Sequence, residues 1–104
     1  MKQRLRALFL ERAKNYLDSI SDSDRGAIYR DIEALCANEL TGVQIKTLKT
    51  PVRELISGYH RMTYFKLLDT LYFPSGFRKK SAKTPKREIE YAHHIFTLLK
   101  LQSE

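Results

Sequence analysis

The chain has 104 residues, of which 42% are hydrophobic and 30% are charged, with a formal net charge of +7 at pH 7. This composition excludes a disordered chain and indicates one globular domain spanning residues 1–104. No stretch approaches the roughly 20 apolar residues of a membrane span, and the first ten residues lack the apolar run of a signal peptide. A single cysteine, Cys36, excludes an internal disulfide. We therefore expect a cytoplasmic protein in which Cys36 is a buried structural thiol.

The net positive charge is confined to the C-terminal part of the chain. Residues 1–45 hold seven Lys/Arg and seven Asp/Glu, whereas residues 46–104 hold twelve and five. The ten residues from Arg78 to Arg87 include six cations and no acid. Such asymmetry predicts a polyanionic partner, with nucleic acid ahead of an acidic protein. A membrane surface ranks last, because no basic amphipathic helix with exposed large apolar residues is evident.

The N-terminal third predicts helices. Apolar residues between positions 5 and 20 follow helical spacing, but Leu8 and Leu10 break it, as a short strand running into a helix would. Ser21 opens a polar break rich in N-cap residues, and a second helix follows that should end near Asn38. The apolar stripe of this helix consists of Ile28, Ile32, Leu35 and Cys36.

The middle of the chain changes character. Residues 52–77 are dense in aromatic and aliphatic side chains and are interrupted by turn residues at 57–58, 69–70 and 74–76. This spacing predicts an antiparallel meander of three strands. A last helix should begin near Pro85, with Thr84 as its N-cap. Two helices, a sheet and a closing helix together predict an α+β domain.

Three stretches resemble one known family. The string GFRKKSAKTPKREIEYA resembles the C-terminal signature of the phage-derived HigB-like branch of the RelE/ParE toxin superfamily. Upstream, YHRMTYF resembles a strand of that branch, and LFLERAKNYLDSISDSDRGAIYRDIEAL resembles its opening strand and helix pair. The resemblance spans nearly the whole chain. It implies a first strand at about residues 5–10 and a twisted, mainly antiparallel sheet of about four strands, with the helix pair packed on one side.

The same resemblance implies the toxin of a type II toxin-antitoxin system that cleaves mRNA on the ribosome and so inhibits translation. Its expected partners are mRNA, the ribosome and a co-encoded antitoxin, expected to be a helix-turn-helix protein. The chemistry can be argued separately, because RNA supplies its own nucleophile, the 2′-hydroxyl. The protein has to accept a proton, stabilise the charged phosphorane and protonate the leaving oxygen. Arginine and lysine can do much of this without a metal or another cofactor.

The resemblance also names candidate site residues. Arg61 matches the strand arginine that faces the scissile phosphate, and Lys79 and Lys80 match a pair of lysines, which makes these three the candidate catalytic residues. Lys83 matches the lysine that precedes Thr-Pro. The remaining candidates for RNA binding are Arg53, Arg78, Lys86 and Arg87. For each of these cations the alternative is an ordinary solvated surface charge, and a cation at a helix start opposes the helix dipole.

The chain departs from the family pattern at one position. The branch commonly has an arginine two residues after the strand glutamate that matches Glu54, and here that position is Ile56. Arg53 is nearby but alternates to another part of the strand surface. No residue clearly matches the C-terminal tyrosine of some RelE proteins, although Tyr91 is close to it. The chain therefore lacks an arginine that the family commonly has near the strand glutamate.

Other functions stay open on the sequence. A ParE-like toxin acting on DNA gyrase without catalysis is one, and a nucleic-acid-binding regulatory module is another, although no recognition helix is evident. His60, His93 and His94 offer a weaker pattern for a histidine ribonuclease. Several aromatic residues alternate with cations as base-stacking platforms would, although at least half of them should be core: Tyr59, Tyr64, Phe65, Tyr72, Phe73 and Phe77.

Overall fold

A computed structural model describes residues 4–103 and shows an α+β domain, as predicted. Its elements are β1 (Arg6–Phe9), α1 (Glu11–Ser19), α2 (Asp22–Cys36), β2 (Gln44–Thr47), β3 (Arg53–Ser57), β4 (His60–Leu67), β5 (Thr70–Phe73), β6 (Gly76–Arg78) and α3 (Lys86–Ser103). None of the helices within residues 4–103 combines the length and the apolar character that a bilayer crossing requires.

The strands form one sheet around β4. The strand order is β1-β5-β4-β3-β2, and β6 also pairs with β4. The β1–β5 pair is parallel, and the other pairs are antiparallel. Strand β4 has eight residues and is paired with β3 along one edge. Along its other edge, the N-terminal part of β4 pairs with β6 and the C-terminal part pairs with β5. Pro74 and Ser75 separate β5 from β6 in the chain.

The expected count of about four strands is too low, because the described chain has six. Strand β2 was missed since it is a short edge strand in which only Ile45 is partly buried, so it lacks an alternating apolar pattern. Strand β6 has only three residues and follows Pro74 and Ser75, which in the sequence mark the end of the meander. The first strand, the helix pair and the turns near Gly58 and Asp69 agree with the sequence predictions.

One helix cap was predicted correctly and the other was not. The Ser21 hydroxyl accepts a hydrogen bond from the amide of Asp24 at 3.1 Å, which caps α2 as expected. Pro85, rather than Thr84, is the N-cap of α3, because its carbonyl accepts from the amide of Ile89 at 3.3 Å. The Thr84 hydroxyl is therefore free to bond elsewhere.

The two faces of the sheet carry two separate cores. Met62 and Tyr64 of β4 face α1 and α2, whereas Phe65, which points the other way, faces α3. The larger core has the buried members Ala13, Leu17, Ile28, Ile32, Leu35, Cys36, Leu55, Met62, Tyr64, Leu71 and Phe73. The smaller core has Val52, Phe65 and Ala92, with Phe96 packed edge-on against Phe65.

Cys36 is the last residue of helix α2 and lies inside the larger core. The residue is 3% exposed, and burial raises the pKa of its thiol. A protonated, enclosed thiol is a poor nucleophile. The structural role predicted for Cys36 is therefore confirmed.

Helix α1 approaches β6 so closely that Gly76 has no space for a side chain. A methyl group there would lie 2.6 Å from Met62 Sδ and 2.7 Å from Tyr16 Cδ2. We expect Gly76→Ala to lower the free energy of unfolding by about 1–3 kcal/mol through overpacking. Gly26→Ala is the matched control, because nothing lies within 4 Å of a methyl group at that helical position. It should raise stability by about 0.5–1 kcal/mol. Urea unfolding of both variants measures this, and equal midpoints would contradict the close approach.

Candidate nucleic-acid interface

The strand register places selected side chains in rows on the α3 side of the sheet. Residues paired across strands point to the same face, so each row can be read from the pairing. One row contains Ile56, Arg61 and Phe77. The adjacent row contains Lys46, Glu54 and Thr63.

Except for Thr63, the residues of these rows form the floor of a cleft of about 200 Å³. Its other wall is residues 79–85, the segment between β6 and α3, which we call the basic loop. The lining residues are Lys46, Glu54, Ile56, Arg61, Phe77, Lys79, Lys80, Ser81, Ala82, Lys83, Thr84 and Pro85. Five of these are cations and one is an acid, so the cleft is strongly positive and suits an anion.

Arg61 is held at the floor of the cleft by backbone carbonyls. Its Nη1 donates to the carbonyl oxygens of Gly58 at 2.8 Å and of His60 at 3.0 Å. Both bonds use one nitrogen and go to the turn between β3 and β4. The donors on Nε and Nη2 therefore remain for a phosphate, which guanidinium can bind through two parallel hydrogen bonds.

The structure brings together four of the predicted site residues: Arg61, Lys79, Lys80 and Lys83. The three lysines are exposed on the basic loop. The loop begins as a continuation of the sheet, because the amide of Lys79 donates to the carbonyl of Tyr59 at 2.8 Å. The lysines thus face the strand arginine from the opposite wall.

Two predicted RNA-binding arginines lie on the other face of the sheet. Arg53 is paired with Tyr64 and lines a separate pocket of about 430 Å³. Arg78 is paired with His60, and its guanidinium lies 5.5 Å from the centroid of the Tyr59 ring. Arg53 therefore does not replace the arginine that the family pattern has at the position of Ile56. Arg78 does not line the cleft with the lysines that follow it.

Lys86 and Arg87 lie in the first turn of α3 and do not line the cleft. Lys86 makes an exposed ion pair with Glu90 at 3.7 Å. Arg87 is also exposed. Both remain able to contact a polyanion that extends beyond the cleft.

Two lining residues were not predicted as site residues. Lys46 belongs to β2, the strand that the sequence pattern did not reveal, so its face could not be assigned. In the sequence, Glu54 serves only to locate the position of Ile56. The available signal was the alternation in β3, which puts Glu54 and Ile56 on one face and Arg53 on the other.

The histidines are not brought together. His60 is 7% exposed and faces the helix pair, where its Nδ1 hydrogen-bonds with the Tyr16 hydroxyl and its Nε2 lies 2.8 Å from Asp24 Oδ2. Burial raises the pKa of Tyr16. His93 and His94 lie on α3, which packs on the opposite face of the sheet. A shared histidine site is therefore not supported.

Most of the candidate stacking residues belong to the cores, as expected. Tyr64, Phe65 and Phe73 are buried, whereas Tyr59 is 68% exposed and Phe77 lines the cleft. These last two have ring surface available for a base.

Tyr91 is not part of the cleft lining. The guanidinium of Arg12 lies 3.7 Å from the centroid of its ring, a cation–π contact between α1 and α3. Tyr91 therefore packs against a helix, and the structure gives it no place beside Arg61.

Comparison with known proteins gives a family match and a structural match that bear on this chain. Residues 15–97 match the family described as Phage derived protein Gp49-like (DUF891). A chain from the crystal structure of the RelB-RelE antitoxin-toxin complex of Methanococcus jannaschii has the same fold, with a TM-score of 0.59 and 19% identity over 83% of this chain and 96% of that one. No curated protein matches the chain. The family match agrees with the phage-derived origin that the resemblance implies, and the structural match agrees with the RelE-like fold. The chain belongs to the Gp49-like family of phage-derived proteins and has a RelE-like fold.

Proposed function

We propose that this protein is the toxin of a type II toxin-antitoxin system and that it cleaves mRNA on the ribosome in the cytoplasm. The observation that supports this function best is the cleft in which Lys46, Lys79, Lys80 and Lys83 surround Arg61. A concave site with five cations fits the phosphate backbone of a nucleic acid. The cleft volume of about 200 Å³ suits a short single-stranded segment.

The reaction would be an internal displacement at phosphorus. The 2′-oxygen of RNA forms a bond to the adjacent phosphorus, and the bond from phosphorus to the 5′-oxygen of the next nucleotide breaks. The 2′-hydroxyl gives up its proton to a base, and the departing 5′-oxygen takes one up. Between these events two negative charges develop on the phosphorane oxygens. Donors already held in place stabilise that charge most effectively.

Arg61 is placed to stabilise the phosphorane. Its Nη1 is already tethered, so little side-chain entropy is lost when Nε and Nη2 bind phosphate oxygens. Lys79, Lys80 and Lys83 would contact neighbouring phosphates as mobile point charges. Phe77, on the floor beside Arg61, offers a surface on which a base can stack.

The antitoxin is the second proposed partner. The similar Methanococcus jannaschii chain was crystallised in an antitoxin-toxin complex. By analogy, a co-encoded protein, expected to have a helix-turn-helix domain, would cover the cleft of this chain. Acidic side chains on that protein could form charge-assisted hydrogen bonds with the cations of the cleft and exclude RNA.

Arg61→Ala should lower the rate of mRNA cleavage on ribosomes about 100-fold, the typical effect of removing one donor to a developing oxyanion. Arg30→Ala is the matched control, because Arg30 is an exposed arginine on α2, away from the cleft. The measurements are growth after induction and mapping of mRNA 5′ ends. Full toxicity in an Arg61, Lys79 and Lys80 triple alanine variant would contradict the cleavage site and favour a gyrase-type target.

Lys80→Ala and Lys83→Ala should weaken binding more than they slow the chemical step. Each lost contact to a single-stranded phosphate should lower the slope of log K against log salt by about 0.7 through reduced counterion release. Lys14→Ala, an exposed lysine on α1, is the control and should keep the wild-type slope. Ribosome binding at several salt concentrations provides the slopes. Unchanged slopes for both loop variants would exclude these lysines as phosphate contacts.

A bound antitoxin should protect the cleft lysines from chemical acetylation. We expect Lys79, Lys80 and Lys83 to react at least several-fold more slowly in the co-purified complex than in the free toxin, while Lys14 reacts equally in both. Mass spectrometry of the modified peptides measures the rates. An inactive complex with fully reactive cleft lysines would show that the antitoxin acts from a remote surface.

A further inference from the structure

Glu54 is an acidic residue in the cleft, where a negative charge would repel the RNA that we propose as the ligand. It is 2% exposed and lies at the base of the cleft, between Lys46 and Thr63 in its cross-strand row. A carboxylate repels RNA phosphates, and its burial requires hydrogen bonds to offset the lost hydration. Its presence there points to a task other than binding RNA.

The partner of Glu54 shows what that task is. The hydroxyl of Thr84 donates to Glu54 Oε1 at 2.8 Å. Thr84 stands near the end of the basic loop, and Glu54 stands on β3, so the bond crosses the cleft from the loop to the sheet. It also explains why Thr84 does not cap α3.

Within residues 4–103, the other hydrogen bonds of the basic loop hold its first residue, lie within the loop or join its last residue to α3. The first residue is fixed by the bond between the Lys79 amide and the Tyr59 carbonyl. Within the loop, the Ser81 hydroxyl bonds to the carbonyl of Lys83. Among residues 4–103, the Thr84–Glu54 bond is the side-chain hydrogen bond that joins the loop to the sheet.

The lysines of the loop repel one another and repel Arg61 across the cleft. A loop with that charge and little apolar contact would move outward into solvent unless something held it. Glu54 opposes this in two ways, since its carboxylate accepts the Thr84 hydrogen bond and its negative charge attracts the surrounding cations. Helix α3 itself is held separately, because the Ser75 hydroxyl donates to Glu88 Oε1 at 3.1 Å.

We propose that Glu54 is a positioning residue that fastens the basic loop through Thr84, so that Lys79, Lys80 and Lys83 face Arg61 before RNA arrives. The consequence for catalysis rests on the proposed function, whereas the fastening itself does not. Preorganised cations bind phosphate without a cost for ordering the loop. Loss of the bond should therefore raise KM more than it lowers kcat.

Trypsin tests the fastening without any RNA, because it cleaves after the lysines of the loop. Thr84→Val removes the donor and keeps the shape of the side chain. We expect cleavage after Lys79, Lys80 or Lys83 to become about tenfold faster, the change in the open population for the loss of one such hydrogen bond. Thr84→Ser keeps the hydroxyl and should restore protection. Thr97→Val is the matched control, because that hydroxyl bonds to His93 within α3.

The same variants are then assayed for RNA cleavage. Thr84→Val should raise KM several-fold, and Thr84→Ser should return it towards the wild-type value. A trypsin pattern in Thr84→Val equal to the wild type would overturn the positioning role. If Thr84→Val frees the loop but the wild-type protein cleaves no RNA, the fastening stands and the proposed function fails.

Glu54→Gln separates positioning from direct chemistry. Its amide oxygen can still accept from Thr84, so most of the protection from trypsin should remain although the attraction between the carboxylate and the cations is lost. A loss of RNA cleavage of 100-fold or more in this variant, with the loop still protected, would mean that the carboxylate acts on RNA itself. That result would overturn the positioning role and make Glu54 a proton acceptor.

Discussion

Successive residues of strand β4 point to opposite faces of the sheet, so this one strand contributes to both the larger core and the cleft. The rest of the structure depends on this constraint. Met62 and Tyr64 are buried beneath the helix pair, while Arg61 points the opposite way into the cleft. Because β4 is paired along both edges, a slip of one residue would send Arg61 into the core and Met62 into the cleft. Burial of the apolar face therefore sets the position of the arginine. The site is as well defined as the core behind it.

The cleft concentrates like charge that the fold must hold in place. Five of its lining residues are cations, and their mutual repulsion lowers stability until an anion binds. The two cores supply the stability that opposes this repulsion. An RNA phosphate or an acidic antitoxin side chain would relieve it, so either partner should stabilise the folded protein. Glu54 provides a small part of that relief in the free protein, and it does so from beneath the loop, where it leaves the lysine ammonium groups accessible.

Local patterns in the sequence were sufficient for much of the fold but for only part of the site. Helix α2 and the turns of the meander were predictable because their apolar spacing and cap residues act within a few positions. Strand β2 was not, since an edge strand with one half-buried residue has no local pattern and forms because β3 offers it a hydrogen-bonding edge. Lys46 was missed for the same reason.

Proximity in sequence was a poor guide to proximity in space. Arg78 is next to Lys79 in the chain but points to the other face, because strand alternation still applies at the end of β6. In the same way, Arg53 and its neighbour Glu54 point to opposite faces of the sheet. Thr84 is a residue type that often caps helices. Its hydrogen-bond acceptor, Glu54 on β3, is distant in sequence and could not be identified without the strand topology.

Ile56 changes how the cleft would stabilise a transition state. The resemblance leads one to expect an arginine at this position, and the register shows that such an arginine would stand directly beside Arg61. Here Arg61 instead lies between two apolar neighbours, Ile56 and Phe77. Apolar neighbours would lower the local dielectric once a ligand covers the cleft, which would strengthen the attraction between a guanidinium and a phosphate. In the proposed reaction, the charge that a second arginine would have shared would fall on Arg61. Lys46, in the next row, is the other cation of a strand that lines the cleft.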